Sequence, residues 1–213
     1  MTRIIYLFLY ISFSFSNSPI NNFIIGFWPE YDHPGVLVSI QIESDPSELP
    51  YNFKLDVPSN SKMVIETIIE GDNRNNNVLS VEYDEVLKNS YINSQIKEER
   101  YLLQFYYNPF DLSVIDRKIE FTLKSNIDLA DFYIVIQKHL GSTNYSMNLN
   151  DLETIEDAYG ITYYRKKINS LMANDSLLIK IDYKNPMNNT SMDILNSKQE
   201  KNNLSNNNGK IEL

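Results

Sequence analysis

An acidic turn near the start of the chain carries the residue types best suited to chemistry. Glu30, Asp32 and His33 lie close together, and two carboxylates with an imidazole can ligate a divalent cation or transfer protons. Pro29 and Pro34 flank the group and restrict its backbone. Because adjacent residues of an extended chain point to opposite sides, the three side chains do not converge easily. We therefore expect a structural turn with solvated charges rather than a metal or acid–base site.

The other residues of this kind also favour a structural role. We expect Trp28 and Tyr31 to pack into the interior of the β-sandwich that the strand patterns described below predict. His139 follows an apolar strand beside Lys138, a pattern typical of a surface histidine. With two histidines, no cysteine and no Gly-x-Ser-x-Gly motif, the chain lacks the parts of serine-triad and zinc-hydrolase sites. The sequence predicts no catalytic residue, metal ligand or cofactor, although its 28 acidic residues leave a glycosidase-like carboxylate pair open.

Six aromatic residues form a candidate binding surface. A tyrosine offers a large stacking area at low entropic cost together with a hydroxyl, so tyrosines on a sheet face can stack on sugars or anchor a protein partner. The alternative is that they fill half-buried strand positions, where tyrosine is favoured. The candidate residues are Trp28, Tyr31, Tyr106, Tyr107, Tyr163 and Tyr164.

The elements that position these residues are predicted to be strands. Residues 118–124 alternate, with Ile119, Phe121 and Leu123 on one face and polar side chains on the other, the pattern of a strand buried on one side. Comparable strand patterns occur at residues 36–43, 51–57, 63–70, 78–83, 101–107, 132–137, 161–168 and 176–184. By contrast, residues 23–35 contain two prolines and two glycines and are expected to form an irregular turn. The polar run 72–77 is expected to form a hairpin loop.

Regularly spaced strands with turn signals between them, and no amphipathic helix, predict an all-β fold. The expected architecture is an antiparallel Ig-like β-sandwich over residues 19–185. It contains one large unit or two small ones, with a sub-boundary near residues 84–97, where the β pattern breaks.

Both ends of the chain differ from the middle. Arg3, the apolar run Ile4–Phe15 and the small residues around Phe15 are typical of a secretory signal peptide. Residues 1–18 are therefore expected to direct export, with cleavage after residue 16. The apolar run is too short to span a hydrocarbon core of about 30 Å. Residues 186–213 are rich in Asn, Ser, Lys and Glu and are predicted to be a disordered polar tail.

The charge balance narrows the range of partners. The 213 residues carry 19 Lys and Arg against 28 Asp and Glu, a net charge of -9. A chain of this kind has no basic face to displace counterions from phosphates, which argues against nucleic acid and against an anionic membrane surface. The absence of cysteine excludes disulfides, thiolate metal sites and a cysteine nucleophile.

Several motifs along residues 27–185 resemble an uncharacterised family of bacterial exported β-sandwich proteins. They are WPEYDHPGVLV at 28–38, QFYY at 104–107, RKIEF at 117–121, IVIQ at 134–137 and GITYY at 160–164. The resemblance implies a sandwich fold and a periplasmic or extracellular location, without a named activity. Relatives often continue into a C-terminal membrane helix, whereas this chain continues into the polar tail. The polar tail in place of that helix leaves membrane contact open. A second departure is Lys138-His139, where relatives tend to have proline.

Three functional hypotheses follow. The first is an exported, non-catalytic β-sandwich that binds another protein or helps to assemble an envelope complex. The second is a carbohydrate-binding module that uses the surface tyrosines. The third, a hydrolase, rests only on the acidic turn at Glu30, Asp32 and His33.

Overall fold

The computed structural model describes residues 18–208, with side chains described through residue 200. Within that range the chain forms 14 strands, a 3₁₀ turn at Pro46–Glu48 and an α-helix, α1, at Ser191–Asn208. The strands are β1 Ile20–Pro29, β2 Val36–Ser44, β3 Tyr51–Val57, β4 Lys62–Glu70, β5 Asn73–Val78, β6 Glu82–Asp84, β7 Asn89–Ile96, β8 Arg100–Tyr107, β9 Asp116–Leu123, β10 Leu129–Gln137, β11 Thr143–Met147, β12 Glu153–Glu156, β13 Thr162–Leu171 and β14 Leu177–Lys184.

One layer of the fold is an eight-stranded sheet in the order β12-β13-β10-β1-β2-β8-β4-β5. Its neighbours pair antiparallel except β1 and β10, which run parallel with Ile25 opposite Ile134. This central parallel pair differs from the purely antiparallel pairing that the strand pattern predicts. A parallel pair needs a long crossover, and the many strands between β1 and β10 provide it.

The second layer consists of two three-stranded sheets, β11-β14-β9 and β3-β7-β6. They meet where Leu55 of β3 bridges Ser125 just after β9, and where the Asp56 N–H donates to the Lys124 carbonyl at 3.0 Å. The two layers enclose one continuous hydrophobic core, which confirms the all-β sandwich.

The segment near residues 84–97 does not separate two units. It contains β7, which pairs with β3 on one side and β6 on the other. Ile92 and Ile96 of this strand are fully buried in the same core as the residues of the large sheet. The β pattern looked broken here because polar residues such as Asn89 and Ser90 begin the strand.

The core is lined by the alternating residues of the predicted strands. In β9, Ile119, Phe121 and Leu123 are buried while the residues between them are exposed, as predicted. In β1, Phe23 and Phe27 are also fully buried, and the Phe27 ring meets Phe121 edge-on at 5.2 Å. The expectation of an irregular turn at 23–35 was therefore wrong for residues 23–29, because the prolines affect only the end of β1 and the turn after it.

The polar run at residues 72–77 forms most of an edge strand rather than a loop. β5 pairs with β4 at the edge of the large sheet, and all of its side chains are exposed. Polar pairs hold it there: Thr67 donates to Asn76 at 2.8 Å and Asn77 donates to Glu66 at 2.9 Å. An edge strand exposed on both faces has no hydrophobic alternation, which is why the pattern missed it.

The tail at residues 186–213 is not disordered throughout, because α1 occupies residues 191–208. Thr190 caps this helix: the Asp193 N–H donates to the Thr190 hydroxyl at 3.1 Å, and the Thr190 N–H donates to the Asp193 carboxylate at 3.0 Å. This reciprocal arrangement is a capping box, a signal that is readable in the sequence Thr-Ser-Met-Asp.

Some sequence-based expectations lie outside the described residues. These include nearly all of the predicted signal peptide, of which residue 18 alone is described, and the last residues of the tail, 209–213. Among the helices of the described part, none has the length and apolar character needed to cross a membrane.

Candidate functional site

The candidate binding residues are divided between the two faces of the large sheet. Because neighbours in a strand point to opposite faces, Tyr106 and Tyr107 cannot share a surface, and neither can Tyr163 and Tyr164. Tyr107 belongs to the core and is 2% exposed. Tyr164 is paired with the core residue Ile136 and turns inward as well. The structure therefore removes Tyr107 and Tyr164 from the candidate surface.

Trp28 lies on the outer face of the large sheet rather than in the sandwich. Its indole covers Gly26: a Cβ added to that glycine would stand 2.1 Å from the ring, so only glycine allows this close approach. Trp28 is paired with Leu37 of β2, and Leu37 with Tyr106 of β8. The expectation that Trp28 packs into the core was wrong. Its side chain points to the opposite face of β1 from that of its neighbour Phe27, which lies in the core.

The exposed charges of the acidic turn are used locally. The Tyr106 hydroxyl contacts both oxygens of the Asp32 carboxylate at 3.0 Å. Partial burial and this carboxylate raise the pKa of Tyr106 to about 12. The His33 ring lies edge-on to Tyr106 at 5.7 Å and is exposed. Asp32 and His33 therefore hold the turn against the outer face of the sheet.

Glu30 of the same turn is buried, contrary to the expectation of a solvated charge. Its carboxylate accepts hydrogen bonds from Arg117 Nε at 3.1 Å, from the Tyr183 hydroxyl at 2.8 Å and from the Asn185 amide at 3.0 Å. Arg117 is itself buried and also donates to the Val114 carbonyl. A carboxylate with a charged partner and two further donors tolerates burial. The sequence does contain an indication of this burial, because Arg117 occupies a position of the alternating strand β9 whose side chain faces the core.

His139 is also buried, so the expectation of a surface histidine was wrong. Its ring stacks on Tyr183 at 5.8 Å. Its Nε2–H donates to the Asn189 carbonyl at 2.8 Å, and its Nδ1 accepts from the Gly141 N–H at 3.2 Å. Desolvation lowers the pKa of His139 below its ordinary value. Glu30 and His139 together join the segment before α1 to the sandwich.

These contacts do not assemble a metal or acid–base centre. Within the described residues, no three histidine, aspartate or glutamate side chains come together. Glu30 points into the protein toward Arg117, while Asp32 and His33 are exposed on its surface. Glu30, Arg117 and Tyr183 are hydrogen-bonded to one another and also to Asn185, Asn188 and the Val114 carbonyl, which is the arrangement of a structural network.

A groove of about 370 Å³ lies between α1 and the large sheet. Tyr31 and Tyr163, both candidate binding residues, line its sheet side together with Asp157 and Tyr159. Its helix side carries Met192, Leu195, Asn196 and Gln199. We call this feature the α1 groove. Asp157, Tyr159 and the helix residues carry no strand alternation that would mark them in the sequence, because they lie in loops and in a segment predicted to be disordered.

Asp157 organises the turn at the sheet side of the groove. Its carboxylate accepts from the backbone N–H groups of Tyr159 at 2.9 Å and Ile161 at 3.0 Å, and from the Tyr163 hydroxyl at 3.1 Å. Desolvation acts to raise the pKa of Asp157, but these hydrogen bonds outweigh it and hold the pKa below its ordinary value. Partial burial and the adjacent Asp157 raise the pKa of Tyr163 to about 12. The carboxylate is therefore a fixed anion and acceptor.

Comparison with known proteins matches the chain to no protein-family model and to no curated protein. The resemblance to exported β-sandwich proteins therefore stays a prediction.

Proposed function

We propose that this chain is an exported, non-catalytic β-sandwich that binds a partner protein of the envelope through one end of the sandwich. We call this the apolar end. It is the end where β1 stops and β2 begins, and it carries the loops 30–35, 58–61, 85–88, 108–115, 138–142 and 157–161. The signal-like residues 1–18 support the location outside the cytoplasm.

The observation that carries the proposal is the distribution of exposed apolar side chains. Among residues 18–200, 13 large apolar residues are exposed, and nine of them lie on loops or strand ends of the apolar end. The nine are Met63, Val78, Val86, Leu87, Leu112, Val114, Ile115, Tyr159 and Met187. Of the other four, Met172 alone lies on a loop of the opposite end. Concentrated exposed apolar area is typical of interaction sites.

These loops contact one another and form a connected surface. The Asn60 amide donates to the Asn108 carbonyl at 2.7 Å, which joins loops 58–61 and 108–115. The Asn185 N–H donates to the Ile115 carbonyl at 2.9 Å, which joins the segment containing Met187. The pairing of β3 with β7 brings loop 85–88 beside loop 58–61. A partner can therefore contact several loops at once, as at interfaces with an apolar centre.

The hairpin tip at residues 85–88 is preorganised for contact. One oxygen of Asp84 accepts from the N–H groups of both Val86 and Leu87, each at 2.9 Å. The two side chains are 88% and 62% exposed. A turn whose backbone is held by its own aspartate loses less conformational entropy when a partner covers it, which favours binding.

The charge around this surface narrows the chemistry of the partner. Asp32, Glu85, Asp111 and Asp157 lie on these loops against two lysines, Lys88 and Lys138, and the whole chain has a net charge of -9. Complementary charge favours association and like charge opposes it. We therefore propose a partner protein with an apolar patch and a neutral or basic rim. Nucleic acid is excluded as a partner.

The test places a photocrosslinking amino acid at Leu87 and, as a control, at Met172 on the opposite end. In the producing cells, we expect Leu87 to label a discrete protein that Met172 does not label. With that protein purified, the Val86→Ser, Leu87→Ser double variant should weaken binding by about tenfold or more, while Met172→Ser should leave it unchanged. Equal labelling from both positions, or none from either, would contradict the proposal.

A further inference from the structure

We propose that the α1 groove is a second binding site, specific for a neutral oligosaccharide, with a sugar ring stacked on the aromatic side chains of the groove. The inference goes beyond the proposed protein interaction. The sheet side of the groove includes residues of loops 30–35 and 157–161 of the apolar end, whereas Tyr163 and the α1 residues belong to the groove alone. The volume of about 370 Å³ lies within the range of small-ligand sites, which begins at about 300 Å³.

The aromatic side of the groove is displayed by a rigid turn. The Asp157 N–H donates to the Ile161 carbonyl and the Gly160 N–H to the Asp157 carbonyl, each at 3.0 Å. Gly160 has a φ of +75°, which glycine adopts without strain. Tyr159, held between these bonds, is 70% exposed. The turn fixes the backbone of Tyr159, and its exposed ring lines the groove with Tyr31 and Tyr163, where the three rings provide stacking area.

The polar groups of the groove fit hydroxyl groups. The Asp157 carboxylate is ordered by its turn, and its Oδ2 accepts only from Tyr163 among the described residues, so acceptor capacity remains. Asn196 and Gln199 present exposed amides, which both donate and accept. Sugar hydroxyls also donate and accept, so this combination of one carboxylate and two amides matches them.

The helix side is held in place by backbone contacts. The Ser191 N–H donates to the Glu30 carbonyl at 2.8 Å and the Met192 N–H to the Tyr31 carbonyl at 2.9 Å. Residues 192, 195, 196 and 199 share one face of a helix, so half-buried Met192 and Leu195 form the base from which the two amides project. These contacts fix the helical wall of the groove before any ligand arrives.

The charges of the groove argue against other small ligands. Among the described residues that line it, none is a lysine, arginine or histidine, so a phosphate or carboxylate ligand lacks a cationic partner. With Asp157 as the one carboxylate among the described lining residues, the groove also offers few of the about six to eight oxygen ligands that calcium takes. Stacking rings with neutral amides leave an uncharged, hydroxyl-rich ligand as the best fit.

The test measures binding of purified protein to cellohexaose, chitohexaose and an acidic oligogalacturonate, by saturation-transfer NMR and calorimetry. We expect at least one neutral hexasaccharide to bind, with a Kd raised about tenfold by Tyr159→Ala and by Asn196→Ala. Tyr83→Ala, an exposed tyrosine on β6, is the matched control and should leave the Kd unchanged.

Three results would overturn the inference. They are no binding to either neutral sugar at millimolar concentration, binding to the acidic sugar alone, and binding that Tyr159→Ala and Asn196→Ala do not weaken. The Val86→Ser, Leu87→Ser variant should bind sugar normally, because its substitutions lie on a hairpin that does not line the groove. If this double variant no longer binds the protein partner but still binds sugar, that result contradicts neither proposal.

Discussion

Replacing Glu30 by alanine tests the buried network directly. The substitution leaves Arg117, which is 1% exposed, without its carboxylate partner. It also removes the acceptor of the Tyr183 hydroxyl and one of the two acceptors of the Asn185 amide. Breaking a buried ion pair by removing one partner typically costs about 3–5 kcal/mol. For a domain of this size each kcal/mol lowers Tm by about 2–4 °C, so we expect Tm to fall by about 6–20 °C.

The matched control is Asp32→Ala, in the same turn. Asp32 is exposed, and among the described residues its side chain hydrogen-bonds only to the Tyr106 hydroxyl, so its loss should cost less than about 1 kcal/mol. Both variants and the unmodified protein are melted under identical conditions and followed by circular dichroism. A Glu30→Ala melt within 2 °C of the Asp32→Ala melt, with the unfolding enthalpy unchanged, would refute the reasoning, since about 2 °C is the smallest shift expected from a single kcal/mol.

A double-mutant cycle separates the ion pair from the rest of the network. Arg117→Met alone leaves the Glu30 carboxylate buried without its cation, whereas Glu30→Gln with Arg117→Met removes both charges. Because replacing a buried pair by neutral groups is often close to neutral in stability, the double variant should be more stable than either Glu30→Gln or Arg117→Met alone. A double variant less stable than both would contradict a direct Glu30–Arg117 coupling.

Three further predictions concern the core, the buried histidine and the helix cap. Phe121→Asp should destabilise the fold by several kcal/mol and Thr122→Asp hardly at all in denaturant melts, because only the first buries a charge. The pKa of His139 is lowered on folding, so the unfolded chain binds more protons than the folded protein as the pH falls. The contribution of His139 to the free energy of unfolding is therefore complete above about pH 6.5 and decreases below it. His139→Asn should remove this pH dependence. Thr190→Ala should cost about 0.5–2 kcal/mol of helix stability, seen as faster hydrogen exchange in α1 while Tm changes little.

Local patterns in the sequence were sufficient to predict the fold class. Period-two alternation in the strands around Ile119 and Ile179 is a property of a few consecutive residues, and it states which face of a strand is buried. The same rule explains why Tyr107 could not belong to a surface with Tyr106: adjacent strand residues face apart. The capping box at Thr190 was equally local and marks a helix that composition alone concealed.

The pairing of distant elements was decided only by the tertiary structure. Glu30 and Arg117 are separated by 87 positions in the chain, and the local sequence around either residue does not indicate that the other is its partner. The parallel pairing of β1 with β10, and the meeting of Tyr31 with Tyr159 and α1 at one groove, are likewise long-range. Alternation gives the buried face of a strand but not its neighbour in the sheet, because neighbours are selected by how all the faces pack around one core.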